Sequence, residues 1–424
     1  MVLLTMMKML IVADDLSGAL DTAAAFSADN VHTLVSVETD IRKCVQANPD
    51  VTVLAMDAQT RHLDPAEAYR IVFDIVKEAR ALGIPYIYIK TDSALRGNIG
   101  SELNAALCAS GESQIYFVPA FPKHKRYTVG GIHYIDGIPV AQSVFGRDPF
   151  EPVSQSSVSD IIAAQTGKPA TLSDADTIDT AANGIIVYNV GSTQDMERVA
   201  AGLCAAGKVN LLAGCGGLAQ AMLAHLDLPR QAAQSGVLLS DKLLFVCGSV
   251  NPITAAQIAL AEKAGFARLN LPMDIKLETG NEELMDVFFE QWKAVDYANG
   301  FVIIDTMDLH GQGETLRHAL KHGMGLSQMR ERIALTLGKI TKKILDHDFC
   351  GALMITGGDT VLGLLDQLGV QTLTPVCEIA PGTILSQFTY QGRSHQLLTK
   401  SGGFGDENLL IKLMQNKSII RGFV

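Results

Sequence analysis

The sequence lacks the features by which several protein classes are recognised. Its seven cysteines are widely spaced and form no C-x-x-C pair, so neither a zinc knuckle nor a dithiol redox motif is indicated. No apolar run approaches the roughly 20 residues that a membrane-spanning helix needs. Lysine and arginine form no marked cluster in a chain of net charge -11, which argues against a nucleic-acid surface. We therefore expect a cytoplasmic protein without membrane or nucleic-acid partners.

Metal and dinucleotide motifs are missing as well. Among ten histidines only His318 and His322 have a ligand-like spacing, and the glutamate of a zinc-protease motif is absent between them. We expect no protein-bound transition metal. Neither G-x-x-x-x-G-K-[ST] nor G-x-G-x-x-G occurs, so the sequence supports neither a Walker-type NTPase nor a dinucleotide-binding Rossmann domain.

What is present indicates a folded α/β protein. The 424 residues are 48% hydrophobic and 19% charged, and a chain of this length favours two domains. Short β-branched or aromatic runs alternate with helical patterns, which predicts in each domain a largely parallel sheet flanked by helices. We predict domains at residues 1–235 and 236–424, joined through a linker over Leu228 to Ser240, with the active site in the cleft between them.

The predicted elements follow from these runs. A helix is expected from Ala66 to Ala81, after Asp64-Pro65, and a hairpin or insertion from Tyr127 to Pro152. The predicted strands are Met9–Ala13, His32–Val37, Val51–Met56, Tyr86–Lys90, Ile115–Val118, Gly184–Val190, Val209–Ala213, Leu243–Cys247, Phe301–Ile304 and Ala352–Ile355.

Polar residues that directly follow a predicted strand are the best candidates for a site, since ligands of open α/β sheets bind beyond the carboxyl ends of the strands. Asp14 and Asp15 follow the first strand. We expect one of them to cap the next helix and the other to hold a substrate hydroxyl or accept its proton. Arg61 follows the third strand, and its spacing fits a carboxylate clamp and a solvated loop residue equally well.

The turn after the fourth predicted strand concentrates charge. Lys90-Thr91-Asp92-Ser93 and Arg96 stand between a buried strand and a glycine-opened helix, which favours an anionic substrate over a merely salt-bridged turn. A further basic stretch, residues 119–126, would neutralise phosphate or be a solvated loop.

Glycine-rich turns dominate the second half, and such turns let backbone N–H groups approach a polyphosphate. Several follow predicted strands, which indicates a nucleotide site although each turn alone is weak evidence. The turns are Gly248-Ser249, Gly357-Gly358-Asp359-Thr360, Pro381-Gly382-Thr383 and Gly402-Gly403.

The motifs ADDLSGA, TRHL, KTDSALRGNIG, GGIHYIDGIPV, TGGDT, APGT and LTKSGGFG occur in the order found in the four-carbon acid sugar kinases, and the sequence resembles that family from about Leu10 to Asn408. The resemblance implies an N-terminal domain for a tetronate (threonate, erythronate or 3-oxo-tetronate) and a C-terminal domain for ATP. Phosphorylation of the terminal hydroxyl would follow. Ala94, where threonine is common in the family, is one of several departures near the substrate turn that leave the exact acid open.

We hypothesise in-line phosphoryl transfer in which a catalytic aspartate, Asp14, Asp15 or Asp92, receives the hydroxyl proton, while Mg²⁺ and glycine-loop amides offset the phosphate charge. The resemblance carries binding roles onto matching residues. The acid would be held by Asp15, Arg61, Lys90, Thr91, Asp92, Ser93 and Arg96. ATP would be held by Ser249, Gly357, Gly358, Asp359, Thr360, Gly402 and Gly403.

Two other functions fit the pattern of strands and helices. An oxidoreductase with a nucleotide cofactor is disfavoured by the missing G-x-G-x-x-G turn. A non-catalytic sugar-acid binding protein is disfavoured by the polyphosphate-type turns and by the lack of an export signal in a first segment that reads as a buried strand. The oligomeric state, with a homo-oligomer possible, is not fixed by the sequence.

Overall fold

The computed structural model describes residues 6–148, 151–232, 237–277, 282–309, 313–415 and 418–419. The chain divides into two compact units, Met1–Ala233 and Gln234–Val424. The boundary predicted between residues 235 and 236 lies outside the described residues.

The first unit is built from eleven described strands and seven described helices. The strands are β1 (Met9–Ala13), β2 (Thr33–Ser36), β3 (Val53–Asp57), β4 (Tyr86–Lys90), β5 (Gln114–Val118), β6 (Arg126–Val129), β7 (Ile132–Ile135), β8 (Ile138–Pro139), β9 (Thr171–Asp174), β10 (Gly184–Asn189) and β11 (Leu211–Gly214). The helices are α1 (Leu16–Ala28), α2 (Ile41–Ala47), α3 (Pro65–Ala81), α4 (Ile99–Ser110), α5 (Val158–Thr166), α6 (Thr193–Ala205) and α7 (Gly216–Met222).

Eight of these strands form a parallel sheet in the order β2-β3-β1-β4-β11-β5-β10-β9. The central strands are buried along their whole length, as expected where helices cover both faces of a parallel sheet. Ala13 pairs with both Asp57 and Lys90, and Lys90 pairs with Gly214. The carboxyl ends of four neighbouring strands are therefore level, and the loops that follow them meet.

Local sequence explains where the elements begin. Helix α3 starts at Pro65 because the side chain of Asp64 accepts hydrogen bonds from the N–H groups of Ala66 and Glu67. The hairpin predicted within residues 127–152 is confirmed as β6–β7–β8, and its first turn contains Gly130 and Gly131, both at positive φ.

The second unit contains strands β12 (Val237–Leu238), β13 (Leu243–Cys247), β14 (Ala267–Asn270), β15 (Phe301–Asp305), β16 (Ala352–Thr356), β17 (Thr372–Ala380), β18 (Thr383–Tyr390), β19 (Arg393–Lys400) and β20 (Ser418–Ile419). Its helices are α8 (Pro252–Lys263), α9 (Met273–Lys276), α10 (Glu282–Asn299), α11 (Glu314–Lys321), α12 (Leu326–Asp346), α13 (Gly358–Leu368) and α14 (Leu409–Gln415).

The main sheet of this unit has the order β14-β15-β13-β16-β19-β18-β17. The first five strands are parallel, as predicted, but β18 and β17 continue the sheet in antiparallel fashion. Strands β17, β18 and β19 are not among the predicted strands, because their partly exposed faces lack the continuous apolar runs of buried strands. Cys247 pairs with Asp305 and Thr356, and Thr356 pairs with Lys400, so these strand ends are level too.

Within the described ranges, no helix combines the length and the apolar character that crossing a membrane requires.

Candidate active site

The loops after β1, β3 and β4 converge in the first unit. The backbone N–H of Asp14 donates to Lys90 O at 3.3 Å, and the N–H of Arg61 donates to Asp14 O at 3.3 Å. The N–H of Thr91 donates to Gly214 O at 2.9 Å, so β11 is tied to the same point. The structure thus brings together the predicted residues of three separate motifs.

Arg61 is the centre of this cluster. Its Nε and Nη2 donate to the two carboxylate oxygens of Asp14 at 2.7 and 2.9 Å, a bidentate pair. Its Nη1 donates to Asp15 Oδ2 at 2.8 Å, and its Nη2 is 4.0 Å from Asp92 Oδ1. Of the two interpretations left open for Arg61, the solvated loop residue is wrong, since the side chain is buried among three aspartates.

Asp15 supplies the helix cap that the sequence predicts for one aspartate of the pair. Its Oδ1 accepts from the N–H of Gly18 at 2.9 Å at the start of α1. A Cβ on Gly18 would lie 2.7 Å from Asp15 Oδ1 and 2.6 Å from Lys90 Nζ. Glycine is therefore required there for the cap and the lysine to fit side by side.

The two neighbouring aspartates differ in their affinity for protons. Burial raises the pKa of Asp14, and the charge of Arg61 offsets that effect only in part. Burial also opposes ionisation of Asp15, but Arg61, Lys90 and the Gly18 N–H outweigh it and hold its pKa below the ordinary value.

Lys90 and Thr91 line the same point with buried polar groups. The ammonium of Lys90 donates to Thr91 O at 2.9 Å. The buried hydroxyl of Thr91 has no hydrogen-bond partner within the described part of the chain. Buried polar atoms are normally paired, so this hydroxyl is an exception within the cluster.

Asp92 forms an ion pair with Arg96. Nε of Arg96 donates to Asp92 Oδ2 at 2.7 Å and Nη2 to Oδ1 at 3.2 Å. Burial raises the pKa of Asp92, but Arg96 and Arg61 together hold it well below the usual range.

The predicted basic stretch contacts the same turn. Ser93 accepts a hydrogen bond from Arg126 of that stretch. Arg126 and Arg96 both lie over the ring of Phe145, at 5.5 and 5.2 Å from its centroid.

Two buried acids beside the cluster were not among the predicted site residues. Asp57 ends β3, and its Oδ2 has no hydrogen-bond partner in the described residues. Burial, together with the charge of Asp15, raises its pKa well above the ordinary value. Glu102 on α4 accepts from Thr60 Oγ1 at 2.7 Å, and burial raises its pKa to about 8. Asp57 stands directly at a strand end, a signal that sequence reasoning could have used, whereas no sequence signal reveals the burial of Glu102.

The loop that carries Arg61 is fixed by Asn98. Its side-chain amide donates to Thr60 O at 2.8 Å and to Leu63 O at 2.9 Å. Beside this loop lies a cavity of about 360 Å³. Arg61, Arg96 and Asn98 belong to its lining, as do His62 and Glu151, whose side chains are hydrogen-bonded to each other. The charged turn thus borders open space.

The glycine turns of the second unit meet at the ends of β13, β16 and β19. Gly357 lies at φ +102, a conformation that favours glycine, and its N–H donates to Lys400 O at 3.3 Å. A Cβ on Gly248 would lie 2.2 Å from Thr360 Oγ1, and one on Gly402 would lie 2.7 Å from Ser249 Oγ. The turns around Ser249, Gly357–Thr360 and Gly402–Gly403 are therefore in mutual contact, and two of the contacts leave no room for a side chain.

Helices begin at two of these turns. Asn251 caps α8 by accepting from Ile253 N at 2.9 Å, while α13 begins at Gly358 with no side-chain cap. The first N–H groups of α13 are consequently available to an anion. Asp359 in its first turn is paired with Arg330, whose Nη2 lies 2.6 Å from Asp359 Oδ2.

The remaining predicted glycine turn, at Gly382, does not lie among the three turns that contact one another. Gly382 joins β17 to β18 in a hairpin, and its carbonyl accepts from Ser401 N at 3.0 Å. A Cβ there would lie 2.6 Å from Phe404 Cγ. Gly382 therefore packs against the Ser401–Gly403 turn and supports it.

Lys400, buried at the end of β19, was not among the predicted site residues.

Comparison with known proteins agrees with this division. Residues 9–222 match the family described as "Sugar-binding N-terminal domain", and residues 244–410 match "Nucleotide-binding C-terminal domain". The D-threonate kinase of Bordetella bronchiseptica is 31% identical over 418 residues, 96% of each chain. This chain belongs to the four-carbon acid sugar kinase family. The resemblance stated from the motifs is thereby confirmed.

Other members of the family are similar over the same length. The D-threonate kinase of Salmonella typhimurium is 27% identical, with 95% of this chain and 97% of the relative covered. The D-erythronate kinase of Heliobacterium modesticaldum is also 27% identical, with 95% of this chain and 95% of the relative covered. A solved structure from Salmonella typhimurium has a TM-score of 0.78 at 20% identity, covering 96% of this chain and 99% of that one, and it shows the shared fold.

Proposed function

We propose that this chain is an ATP-dependent kinase that phosphorylates a four-carbon sugar acid at its terminal hydroxyl. The observation that carries the proposal is the division of labour between the units. One presents a buried cluster of acidic and basic side chains, and the other presents glycine turns with an uncapped helix N-terminus. The named activities of relatives at 27–31% identity support the same reaction.

The acid would be bound by Lys90 and Thr91, and Arg61 would hold the neighbouring aspartates in place. Lys90 Nζ and the unpaired hydroxyl of Thr91 offer donors for a carboxylate or hydroxyl of the substrate. Three nitrogens of Arg61 already contact Asp14 and Asp15. The main role that we propose for Arg61 is therefore to fix these carboxylates, and any contact with the acid is additional.

Asp15 is the best proton acceptor of the three candidate aspartates. Its side chain is 25% exposed, compared with 1% for Asp14 and 9% for Asp92. Both oxygens of all three aspartates are in contact with donors, those of Asp14 with Arg61, those of Asp92 with Arg96 and those of Asp15 with Gly18 N–H and Arg61. Exposure therefore distinguishes Asp15, which would combine the helix cap with the catalytic role that the sequence assigns to the other aspartate of the pair. A low pKa is compatible with this role, because phosphoryl transfer depends more on positioning than on a strong base.

The second unit would hold the nucleotide through its backbone. The absence of side chains at Gly357 and Gly402 leaves the N–H groups of the turns approachable, and the start of α13 favours negative charge. Mg²⁺ would accompany ATP and offset its charge, held mainly by phosphate oxygens and water. Within the described ranges, no group of three or more His, Cys, Asp or Glu side chains is placed to hold a metal ion.

Turnover of purified protein with ATP and a panel of threonate, erythronate and 3-oxo-tetronate stereoisomers tests the proposal. We expect ADP formation with at least one acid, and losses of at least about 100-fold in kcat for Asp15→Asn, the scale expected for general base catalysis. Asp92→Asn and Arg61→Met should also lose activity, whereas Asp74→Asn, on the exposed face of α3, should not. Wild-type turnover in all three site variants, with folding intact, would refute the assignment.

We keep cytoplasmic location as a further prediction of this proposal and leave the oligomeric state open, with a homo-oligomer as one outcome. Fractionation of cells and light scattering of the purified chain would test them independently of turnover.

A further inference from the structure

Lys400 lies beneath the Ser401–Gly403 turn with its ammonium group buried. The residue ends β19 and is 2% exposed. Its Nζ donates to Thr254 Oγ1 at 3.0 Å, to Ser401 O at 3.1 Å and to Gly402 O at 3.2 Å. Thr254 Oγ1 in turn donates to Gly402 O at 2.9 Å, so the lysine, the start of α8 and the turn form one network.

All three acceptors of this ammonium are neutral oxygens. Among the described residues, none of the ion pairs within 4.0 Å involves Lys400. The other buried lysine of this unit, Lys276, has Asp308 at 3.8 Å. Burying a charge without a counter-ion is unfavourable, and an anion that binds from outside the chain would supply the counter-ion that this ammonium lacks.

The contacts of Lys400 also orient the turn. In a planar trans peptide the carbonyl and the following N–H point in opposite directions. The carbonyls of Ser401 and Gly402 are directed at Nζ, so the N–H groups of Gly402 and Gly403 are directed away from it. Neither N–H donates to an acceptor within the described part of the protein. Two donors side by side, facing away from a buried cation, form a typical anion-binding arrangement.

We propose that Lys400 is a positioning residue for the nucleotide: it fixes the Ser401–Gly403 turn so that two backbone N–H groups face the phosphates, whose charge its ammonium balances. This inference rests on the proposed use of ATP and extends it to a residue outside the predicted site. Lys400 acts through the turn and does not itself touch the reacting atoms.

The protonation of Lys400 supports the inference and predicts a measurable proton uptake when the nucleotide binds. Burial lowers the pKa of Lys400 to about 8. The groups that face Nζ are the Thr254 hydroxyl, two carbonyls and, from β13, the Cys247 thiol, whose own pKa burial raises to about 12. A bound anion favours the charged lysine and raises its pKa, so nucleotide binding should take up protons just above pH 8. Affinity should therefore fall as the pH rises through that range.

Calorimetric titration with ADP, from pH 6.5 to 9.5 in buffers of different ionisation enthalpy, measures both affinity and proton uptake. We expect wild-type protein to take up protons above pH 8, and Lys400→Met to bind ADP at least about 10-fold more weakly with no uptake. Lys400→Arg should recover part of the affinity without uptake, since arginine stays charged throughout. Lys412→Met, which removes an exposed lysine paired with Asp406, should behave as wild type.

The outcomes separate this inference from the proposed function. If wild-type protein phosphorylates sugar acids but Lys400→Met and Lys400→Arg bind ADP with wild-type affinity and proton uptake, the role of Lys400 is refuted while the kinase assignment stands. If wild-type protein binds no nucleotide, both are refuted. Should Lys400→Met fail to fold by its melting curve, Lys400→Arg still decides, because retained uptake in that variant contradicts the inference.

Discussion

Each unit brings polar groups to the carboxyl ends of its own parallel strands, but the two units do so by different means. In the first unit, Arg61 joins Asp14 and Asp15 in a buried ionic cluster, and the backbone serves mainly to align it. In the second unit, glycine turns press against one another, and the backbone itself forms the surface. A small acid with several hydroxyl groups requires directed side chains, whereas a polyphosphate can be held by repeated N–H groups.

This difference determines how each site should respond to substitution. Charges in the first cluster compensate one another, so removing one leaves its partners buried and unpaired. The turns of the second unit carry little charge, and their sensitivity lies in the space that an added Cβ would fill. Substitutions ordered by their expected free energy test this comparison.

The largest effect is expected for Arg61→Met. It would leave Asp14 and Asp15 without their cation, and breaking a buried ion pair by removing one partner costs about 3–5 kcal/mol. Denaturant unfolding should show that loss, and turnover should fall with it. Arg70→Met removes an exposed arginine from α3 and should cost less than about 0.5 kcal/mol. Equal stability of the two variants would mean that the cluster does not support the fold.

A smaller and more local effect is expected for Gly402→Ala. The added Cβ would approach Ser249 Oγ to 2.7 Å, so either this side chain gives up its hydrogen bond from Asn251 N or the two turns separate. We expect the KM for ATP to rise by about 10–100-fold, equivalent to about 1.4–2.7 kcal/mol. Binding of the acid to the same variant, measured without nucleotide, is the internal control. A change in acid affinity as large as the change in KM would show that the two sites are not chemically independent.

The sequence alone allows the parallel framework and most of this contrast to be predicted. The strand over Tyr86–Lys90 was predicted with the bounds observed, because β-branched and aromatic residues there form a short, continuous run. The charged turn that follows is predicted as a site because its polar residues come directly after a buried strand.

Pairing between distant residues could not be predicted. Nothing in the sequence indicates that Arg61 contacts Asp14 and Asp15, which lie more than 40 positions earlier. The contact depends on the register of β1 and β3, which sets the ends of these strands level. Lys400 was missed because its burial depends on β17–β19, whose half-exposed strands lack a clear pattern.

Glu102→Gln tests whether a buried acid in the first unit is neutral. With a folded pKa of about 8, Glu102 binds a proton that the unfolded chain releases above its ordinary pKa near 4.5. The folded state therefore holds more protons between these values, and the stability of wild-type protein should fall as pH rises from about 5 to 8. Glutamine preserves the acceptor for Thr60 and should remove this slope, with a gain of about 1–2 kcal/mol at pH 8.

Unfolding curves at pH 5 and pH 8 measure that slope. Glu102→Ala is the matched control, because it also removes the titration but leaves the Thr60 hydroxyl without its acceptor, and it should be less stable than Glu102→Gln at both pH values. An unchanged slope in Glu102→Gln would show that Glu102 is ionised in the folded protein.

The smallest effect is expected for Arg330→Gln in the second unit. Arg330 pairs with Asp359 in the first turn of α13, where its charge offsets a carboxylate close to the proposed phosphates. Because the pair is partly exposed, removing the arginine should weaken ATP binding by only about 2–5-fold, and added salt should reduce the difference. Lys342→Gln removes the same charge from α12 at a separate ion pair and should leave the KM unchanged. If both variants weaken ATP binding equally, the loss is caused by the change in net charge. The turns of the second unit would then bind the nucleotide without a specific contribution from Arg330.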